Sequence, residues 1–169
     1  MNRINQISKN SAVICTVILS LCTLQSAPSF AAGAVEMQVE HILVQTIEEY
    51  NQAMQTGDSS GLMKNFSDNV QRRSPVSEQT GKKDVGDYFA WEFKNFQAKY
   101  VTKKIIVSGR SAAIVFVWDA VHKASGTPLK IEMVGIFDLA SSGRFDNVSF
   151  YFDTANTGKF FAETATSVK

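Results

Sequence analysis

Cysteine is scarce in this chain, and both copies, Cys15 and Cys22, fall within the first 31 residues. Residues 32–169 therefore cannot form a disulfide or a thiolate metal site. Only two histidines are present, His41 and His122, and they are far apart in sequence. Because a protein metal site needs at least three convergent ligands, we expect no metal ion, and no motif points to a cofactor.

A strong charge of either sign is also lacking. The chain has 17 basic and 16 acidic residues, and residues 32–169 retain 15 basic residues against the same 16 acids. Nucleic-acid surfaces require a concentrated basic field. We therefore predict that the protein has no nucleic-acid partner.

The N-terminal segment has the features of a secretory signal. Basic residues without any acid precede an apolar run of 13 residues at 12–24, and small residues follow at Ser29 and Ala31. A bilayer span takes about 20 residues, so this run is short for a retained anchor, which is the alternative interpretation. We predict a signal peptide over 1–31, with cleavage after Ala31 or after Ala34. The protein would then be periplasmic or secreted, without membrane contact.

Apolar residues spaced by three and four predict helices in the first half of the remaining chain. The first helix is expected over 35–58, a short second helix over 59–66 and a third over 81–96, with a strand at 69–76 between the last two. Residues 32–153 are of a length that forms a single domain.

The periodicity then changes to two, which predicts strands at 99–109, 111–124, 128–140 and 144–153. The short links between them predict an antiparallel sheet. Three helices followed by a sheet make an α+β fold. Residues 154–169 are mostly small and polar, so we expect a loose C-terminal tail.

The second strand of this meander is apolar on both faces. One face carries Ile114, Phe116, Trp118, Ala120 and His122, and the other carries Ala113, Val115, Val117, Asp119 and Val121. A strand that is apolar on both sides needs cover on both sides. With helices on one side, we expect a second copy of the sheet on the other, and so a homodimer.

Four segments resemble the SnoaL-like branch of the nuclear-transport-factor-2-like superfamily, which also contains the ketosteroid isomerases. They are "EEYNQAMQTGD", "LMKNFSDNV" running into "SPV", "GKKDVGDYF" and "GIFDLASSGRFDNVSFYFD". The resemblance spans about residues 38–153. It implies a cone: a curved antiparallel sheet, covered by three N-terminal helices, around a pocket for a small apolar or amphipathic molecule. It also implies dimerisation through the outer sheet face. Many unrelated activities share this fold.

The resemblance to ketosteroid isomerases can be followed residue by residue. Those enzymes use a carboxylate base, and a tyrosine with a protonated acid that stabilises the enolate oxygen. Tyr50, seven residues before Gly57, matches the tyrosine. The position of the base is Ser74, and that of the second acid is Gly135. Because neither can replace a carboxylate, this mechanism is not supported. We expect Tyr50 to point inward with no carboxylate beside it.

Our first hypothesis is therefore an exported small-ligand-binding domain with an apolar pocket and no isomerase acids. Arg72 shares a strand face with Ser74 and would suit an anionic head group. The residues expected to bind the ligand are Tyr50, Arg72, Ser74, Phe116, Trp118, Met133, Phe137, Phe150 and Phe152.

Two alternatives remain open at this point. The chain could be an isomerase, cyclase or lyase in which His122 or Tyr50 is the catalytic residue, since a histidine titrates near neutral pH. It could also be a non-catalytic protein-interaction module whose aromatic side chains fill its own cavity.

Overall fold

The first element is a long helix that supplies one wall of the core. The structure is a computed structural model that describes residues 28–155 and residue 157. Helix α1 spans Pro28–Thr56 and therefore begins earlier than predicted. It ends where predicted, at Gly57, whose φ of 76° suits glycine. Its inward face is formed by Val39, Leu43, Ile47, Tyr50 and Met54, which are all buried.

The predicted second helix is wrong, because that segment forms a single 3-10 turn over Leu62–Asn65. The turn is only four residues long, and β1 begins directly after it at Phe66, which leaves too few residues for a stable α-helix. The predicted third helix is present as α2 (Lys82–Asn95). The fold therefore has two α-helices among the described residues, not three.

The sheet has six strands in the order β2-β1-β6-β5-β4-β3. The four C-terminal strands agree closely with the predicted ones. In chain order the six are β1 (Phe66–Ser74), β2 (Ser77–Thr80), β3 (Phe96–Ser108), β4 (Ser111–His122), β5 (Pro128–Leu139) and β6 (Phe145–Phe152).

The expected all-antiparallel sheet is wrong at one position, since β1 pairs in parallel with β6. The strands from β3 to β6 are antiparallel, because short turns join them. The neighbours β1 and β6 are separated in the chain by α2 and four strands, so turn length places no constraint on their direction. Strand β2 has the polar sequence "SEQT" and lacks apolar alternation, which explains why the sequence did not predict it.

Buried residues alternate with more exposed ones along β4, as predicted. Ile114, Phe116, Trp118 and Ala120 are buried, whereas the residues between them are half-buried. Helices α1 and α2 lie against the inner face of the sheet, α1 mainly on β3 and α2 mainly on β1. The core therefore lies between the helices and this face.

Parts of the predicted domain organisation lie outside the described residues. These include nearly all of the predicted signal peptide, and all of the predicted tail except residues 154, 155 and 157. Thr157 is buried and donates a hydrogen bond to the Asp153 carbonyl, 2.9 Å away. In the described part of the chain, no helix combines the length and apolar character needed to cross a bilayer.

Candidate functional site

A hydrogen-bonded chain of three buried side chains forms the centre of the site. The Trp118 indole N–H donates to the Tyr50 hydroxyl over 3.0 Å. The Tyr50 hydroxyl in turn donates to Glu92 Oε1 over 2.8 Å. Helix α1, helix α2 and strand β4 each supply one member. Tyr50 therefore points inward as predicted, and it fixes the orientation of a carboxyl group.

The expectation that no carboxylate stands beside Tyr50 is wrong. Glu92 is only 4 % exposed, although it is an acid on a helix with a largely polar surface. It lies three residues after Phe89 and seven after Val85, which places it on the buried face of α2. The sequence carries this signal, an acid within an apolar stripe, whereas the resemblance to ketosteroid isomerases assigns the acids to Ser74 on β1 and Gly135 on β5.

Burial raises the pKa of Glu92 from 4.5 to about 7. Desolvation disfavours the charged carboxylate and is the largest cause. The positive charge of Arg72 and the donors Tyr50 and Trp118 act in the opposite direction and partly offset it. Glu92 can therefore gain or lose a proton near neutral pH, which is a common property of functional carboxyl groups.

Arg72 is the second buried charge of the site, at 6 % exposure on β1. Its Nη1 donates to Gln79 Oε1 (2.8 Å) and to Ser77 Oγ (3.2 Å), both on β2. Its guanidinium carbon lies 3.6 Å from the centre of the Tyr88 ring, a cation–π contact. Its neighbour Arg73 points to solvent and pairs with Glu78. Arg72 is thus directed inward, as its shared face with Ser74 predicted.

Tyrosine rings pack beside both charges, Tyr88 against Arg72 and Tyr50 against Glu92. The Tyr50 and Tyr100 rings stack with centroids 3.9 Å apart and an interplanar angle of 2°. Burial, followed by the charge of Glu92, raises the pKa of Tyr50 well above its usual value. Burial also raises the pKa of Tyr88 to about 12, although Arg72 opposes the shift. These phenols remain neutral hydrogen-bonding groups at physiological pH.

Two adjoining cavities open beside this cluster, and they share Arg72, Tyr100 and Phe150 as lining residues. We call them the inner cavity and the Arg72–Glu92 cavity. Each contains about 360 Å³ of empty space when its open mouth is included, and water-sized molecules could occupy only a small part of it. Aromatic side chains thus already fill most of the interior.

The inner cavity is almost entirely apolar. It is lined by Thr46, Ile47, Tyr50, Leu62, Phe66, Arg72, Phe89, Tyr100, Phe137, Val148 and Phe150. The Arg72–Glu92 cavity is more polar, and the two residues of its name are the charged members of its lining. Its other lining residues are Ser74, Val76, Tyr88, Tyr100, Trp118, Met133, Phe150 and Phe152.

Most of the residues predicted to bind a ligand line one of these cavities. The exception is Phe116, which is buried behind them and contacts Tyr100 at 4.6 Å between ring centroids. Ser74 lines the Arg72–Glu92 cavity, and its hydroxyl also bonds to the backbone of Ser77, the first residue of β2. The structure therefore brings the predicted set together, and it adds Glu92, Tyr88 and Tyr100.

His122 lies at the end of β4 and is not a lining residue of either cavity. Its Nδ1 lies 3.0 Å from Ser125 Oγ, and its ring packs 5.4 Å from that of Phe96. A general base must reach the proton that it removes. The alternative in which His122 is catalytic thus has no geometric support from these cavities.

Neighbouring side chains occupy the space that a side chain at position 135 would need. A Cβ atom at this position would lie 2.8 Å from Phe137 Cε2, 3.2 Å from Ile114 Cγ2 and 3.3 Å from Phe116 Cε1. The position that would hold the second isomerase acid is therefore closed by packing. Within the described residues, no three histidine, cysteine or acidic side chains are grouped so that they could hold a metal ion.

Comparison with known families gives one match that covers most of the domain. The family described as SnoaL-like domain matches residues 47–147. That span includes Tyr50, Arg72, Glu92 and Trp118. No curated protein sequence matches this chain.

Solved structures share the fold at low sequence identity. A protein of Jannaschia sp. CCS1, proposed to be a SnoaL-like polyketide cyclase, superposes with a TM-score of 0.65 at 15 % identity, covering 73 % of this chain and 91 % of that one. The epoxide hydrolase/cyclase-like enzyme SalBIII, which acts in pyran ring formation in salinomycin, gives 0.60 at 19 % identity, covering 70 % and 92 %.

A third similar structure is a hypothetical protein of Catenulispora acidiphila DSM 44928 with a ketosteroid isomerase-like fold, in complex with trimethylamine. It gives a TM-score of 0.57 at 13 % identity and covers 64 % of this chain and 85 % of that one. At such identities the likeness establishes the fold alone.

Proposed function

Because the chain belongs to the SnoaL-like family of small-molecule-binding isomerases and cyclases, we propose that it binds a small, largely apolar molecule in its two adjoining cavities. One observation supports this most directly. Arg72 and Glu92 are both buried, both line one aromatic cavity, and no ion pair joins them among the described residues. Buried charges without a direct partner are unfavourable for stability and are typical of binding sites.

The size of the interior limits the ligand. Because aromatic rings occupy most of the space, the ligand is small and flat enough to lie between them. An interior filled by aromatic rings favours the alternative of a non-catalytic protein-interaction module. That alternative does not explain why Arg72 and Glu92 are both buried in the interior.

The predicted export is the second part of the proposal. The basic start, the short apolar run and the small residues before Ala31 support removal of a signal peptide and a periplasmic or secreted location. Cleavage after Ala31 or Ala34 would remove only the first turns of α1. The core would stay intact, since Val39 is the first buried residue of α1 from residue 33 onward, where burial is described.

A second candidate function is acid–base catalysis of the isomerase or cyclase type, and Glu92 is the observation that favours it. A carboxyl group with a pKa of about 7, oriented by the Tyr50 hydroxyl, can accept a proton from a carbon next to a carbonyl group and return it elsewhere. In this candidate Glu92 replaces His122 as the catalytic residue, and Tyr50 is a positioning residue.

Native mass spectrometry of the protein isolated from its own cellular compartment tests the binding function. We expect a complex heavier than the chain by one small organic molecule, which denaturation releases. Val148→Phe places a ring in the inner cavity and should exclude the molecule, because Val148 lines it. Val44→Phe on the exposed side of α1 is the matched control and should retain it. Bare chain in every preparation would contradict the proposal.

We also propose a homodimer formed through the outer face of the sheet. Val115, Val134 and Tyr151 form a cross-strand apolar row there, and Tyr151 is 59 % exposed. Charged pairs flank this row, Lys103 with Glu132 and Lys130 with Asp119. An apolar centre with a polar rim is typical of interfaces.

Sedimentation of the protein at micromolar concentration tests the dimer. We expect a dimer for the parent chain and a monomer for Val134→Asp, which places a charge in the centre of the row. The control Val44→Asp on α1 should remain dimeric. A monomeric parent protein would refute the proposal and leave ligand binding unaffected.

A further inference from the structure

We propose that the Arg72–Glu92 cavity recognises the carboxyl group of a small carboxylic acid, with one ligand oxygen on Arg72 Nε and the other on Glu92 Oε2. The inference rests on the ligand-binding function proposed above and adds the chemical class of the ligand. Each of these two atoms is buried and has no hydrogen-bond partner. Buried polar atoms are nearly always paired, so each indicates a missing partner.

Arg72 presents Nε as a buried donor without a hydrogen-bond partner. Its Nη1 is held by Ser77 and Gln79 of β2, and its planar group lies over the Tyr88 ring. Nε remains, with its N–H unused. A planar guanidinium held in this way retains its positive charge and favours a carboxylate oxygen as acceptor.

Glu92 presents one free oxygen, for a similar reason. Tyr50 donates to Oε1 and thereby fixes the plane of the carboxyl group, whereas Oε2 makes no hydrogen bond. When Glu92 is protonated, Oε2 can donate its proton to a ligand oxygen. Its cavity is otherwise lined by aromatic and small side chains, which suits an apolar ligand body.

A carboxyl group satisfies both atoms at once. One oxygen accepts the Arg72 Nε–H, and the other accepts the single proton that Glu92 and the ligand share. The positive charge of Arg72 then offsets the one negative charge left on the two carboxyl groups. An alcohol can also accept from Arg72 Nε and donate to Glu92 Oε2, but it is neutral and brings no charge to offset Arg72 when Glu92 is protonated. An ammonium group would be repelled by Arg72.

The charge state of Glu92 makes this recognition depend on pH. The titratable groups around it are Tyr50 of α1, Arg72 of β1, Tyr88 of α2 and Tyr100 of β3. Burial keeps the three phenols neutral, so Glu92 is the group of this cluster that titrates near neutral pH. Binding of a carboxylate then takes up one proton once Glu92 is ionised, and affinity should fall as pH rises above about 7.

Calorimetric or NMR titration of the full chain with benzoic and hexanoic acids, each compared with benzyl alcohol or hexanol, tests the inference. We expect each acid to bind about tenfold or more tightly than its alcohol at about pH 6, as for a charge-assisted hydrogen bond. Arg72→Gln should abolish this preference. The adjacent exposed Arg73→Gln is the matched control and should retain it. Because Arg72 also bridges β1 and β2, Arg72→Lys, which keeps the charge but lacks Nε, provides a second variant and should weaken the preference.

Glu92→Gln should keep binding the acids, because its amide can donate to a carboxylate, but should lose the pH dependence. Asp87→Asn on the exposed side of α2 should keep that dependence. Equal affinity for acids and alcohols, or a preference for benzylamine, would overturn the carboxyl-group inference and leave the ligand-binding function standing. Failure of all these probes to bind, together with bare chain in native mass spectrometry, would overturn both.

Discussion

Replacing Glu92 with Gln should make the free energy of unfolding nearly insensitive to pH between about pH 5 and pH 8. In the parent protein, the free energy of unfolding should fall by about 3 kcal/mol over the same interval. The carboxyl group has a pKa of about 7 in the folded chain, raised from 4.5 mainly by burial. Between these two values the folded state binds more protons than the unfolded state. A raised folded-state pKa therefore gives stability that is complete below the lower value and is lost as pH rises through the higher one.

Urea unfolding followed by fluorescence at several pH values measures this difference. Glu78→Gln is the matched control, since Glu78 is an exposed acid on β2, and its profile should follow that of the parent protein. Tyr50→Phe provides a second check. Loss of the Tyr50 hydroxyl removes a donor that stabilises ionised Glu92, so the pKa of Glu92 in the folded chain should rise. The loss of stability with rising pH should then continue to a higher pH than in the parent protein. Parallel profiles for the parent protein and Glu92→Gln would show that Glu92 does not titrate in this range.

The prediction from sequence was most accurate where structure depends on local patterns. Apolar alternation and short turns fix β3 to β6, and the three-to-four spacing on α1 brings Tyr50 to the interior. The parallel pairing of β1 with β6 and the polar strand β2 depend on contacts between distant segments. No local pattern in the sequence specifies them.

The prediction of the site's side chains is limited in the same way, by contacts between segments that are distant in sequence. Tyr50 and Arg72 could be placed because the resemblance and the strand alternation give their directions. Glu92 belongs to the same site, but it comes from a helix whose sequence looks amphipathic with one misplaced acid. Only the packing of α2 in the folded domain shows that this acid meets the Tyr50 hydroxyl, which also accepts a hydrogen bond from the Trp118 indole. A charged residue inside an apolar stripe is thus the signal that would improve such a prediction.

Placing an acid at Gly135, the position that the resemblance assigns to the second isomerase acid, should unfold the domain or nearly so. Gly135→Ala already forces the rings of Phe137 and Phe116 and the Ile114 methyl group to move, which should destabilise the fold by about 1–3 kcal/mol. Gly135→Asp adds a carboxyl group with no partner in that aromatic core, and we expect a total loss of about 4 kcal/mol or more.

Thermal and urea unfolding of the Gly135 variants measure these losses. Gly86→Ala is the control within the same domain. The nearest atom to a Cβ at Gly86 is Met63 Cε at 3.9 Å, so this helical substitution should be neutral or stabilising by about 0.5–1 kcal/mol. An unchanged melting temperature for Gly135→Asp would mean that the core can open at this position. If the acid is excluded there as expected, a carboxyl group that acts beside Tyr50 has to come from another element, and Glu92 is the buried acid that meets Tyr50.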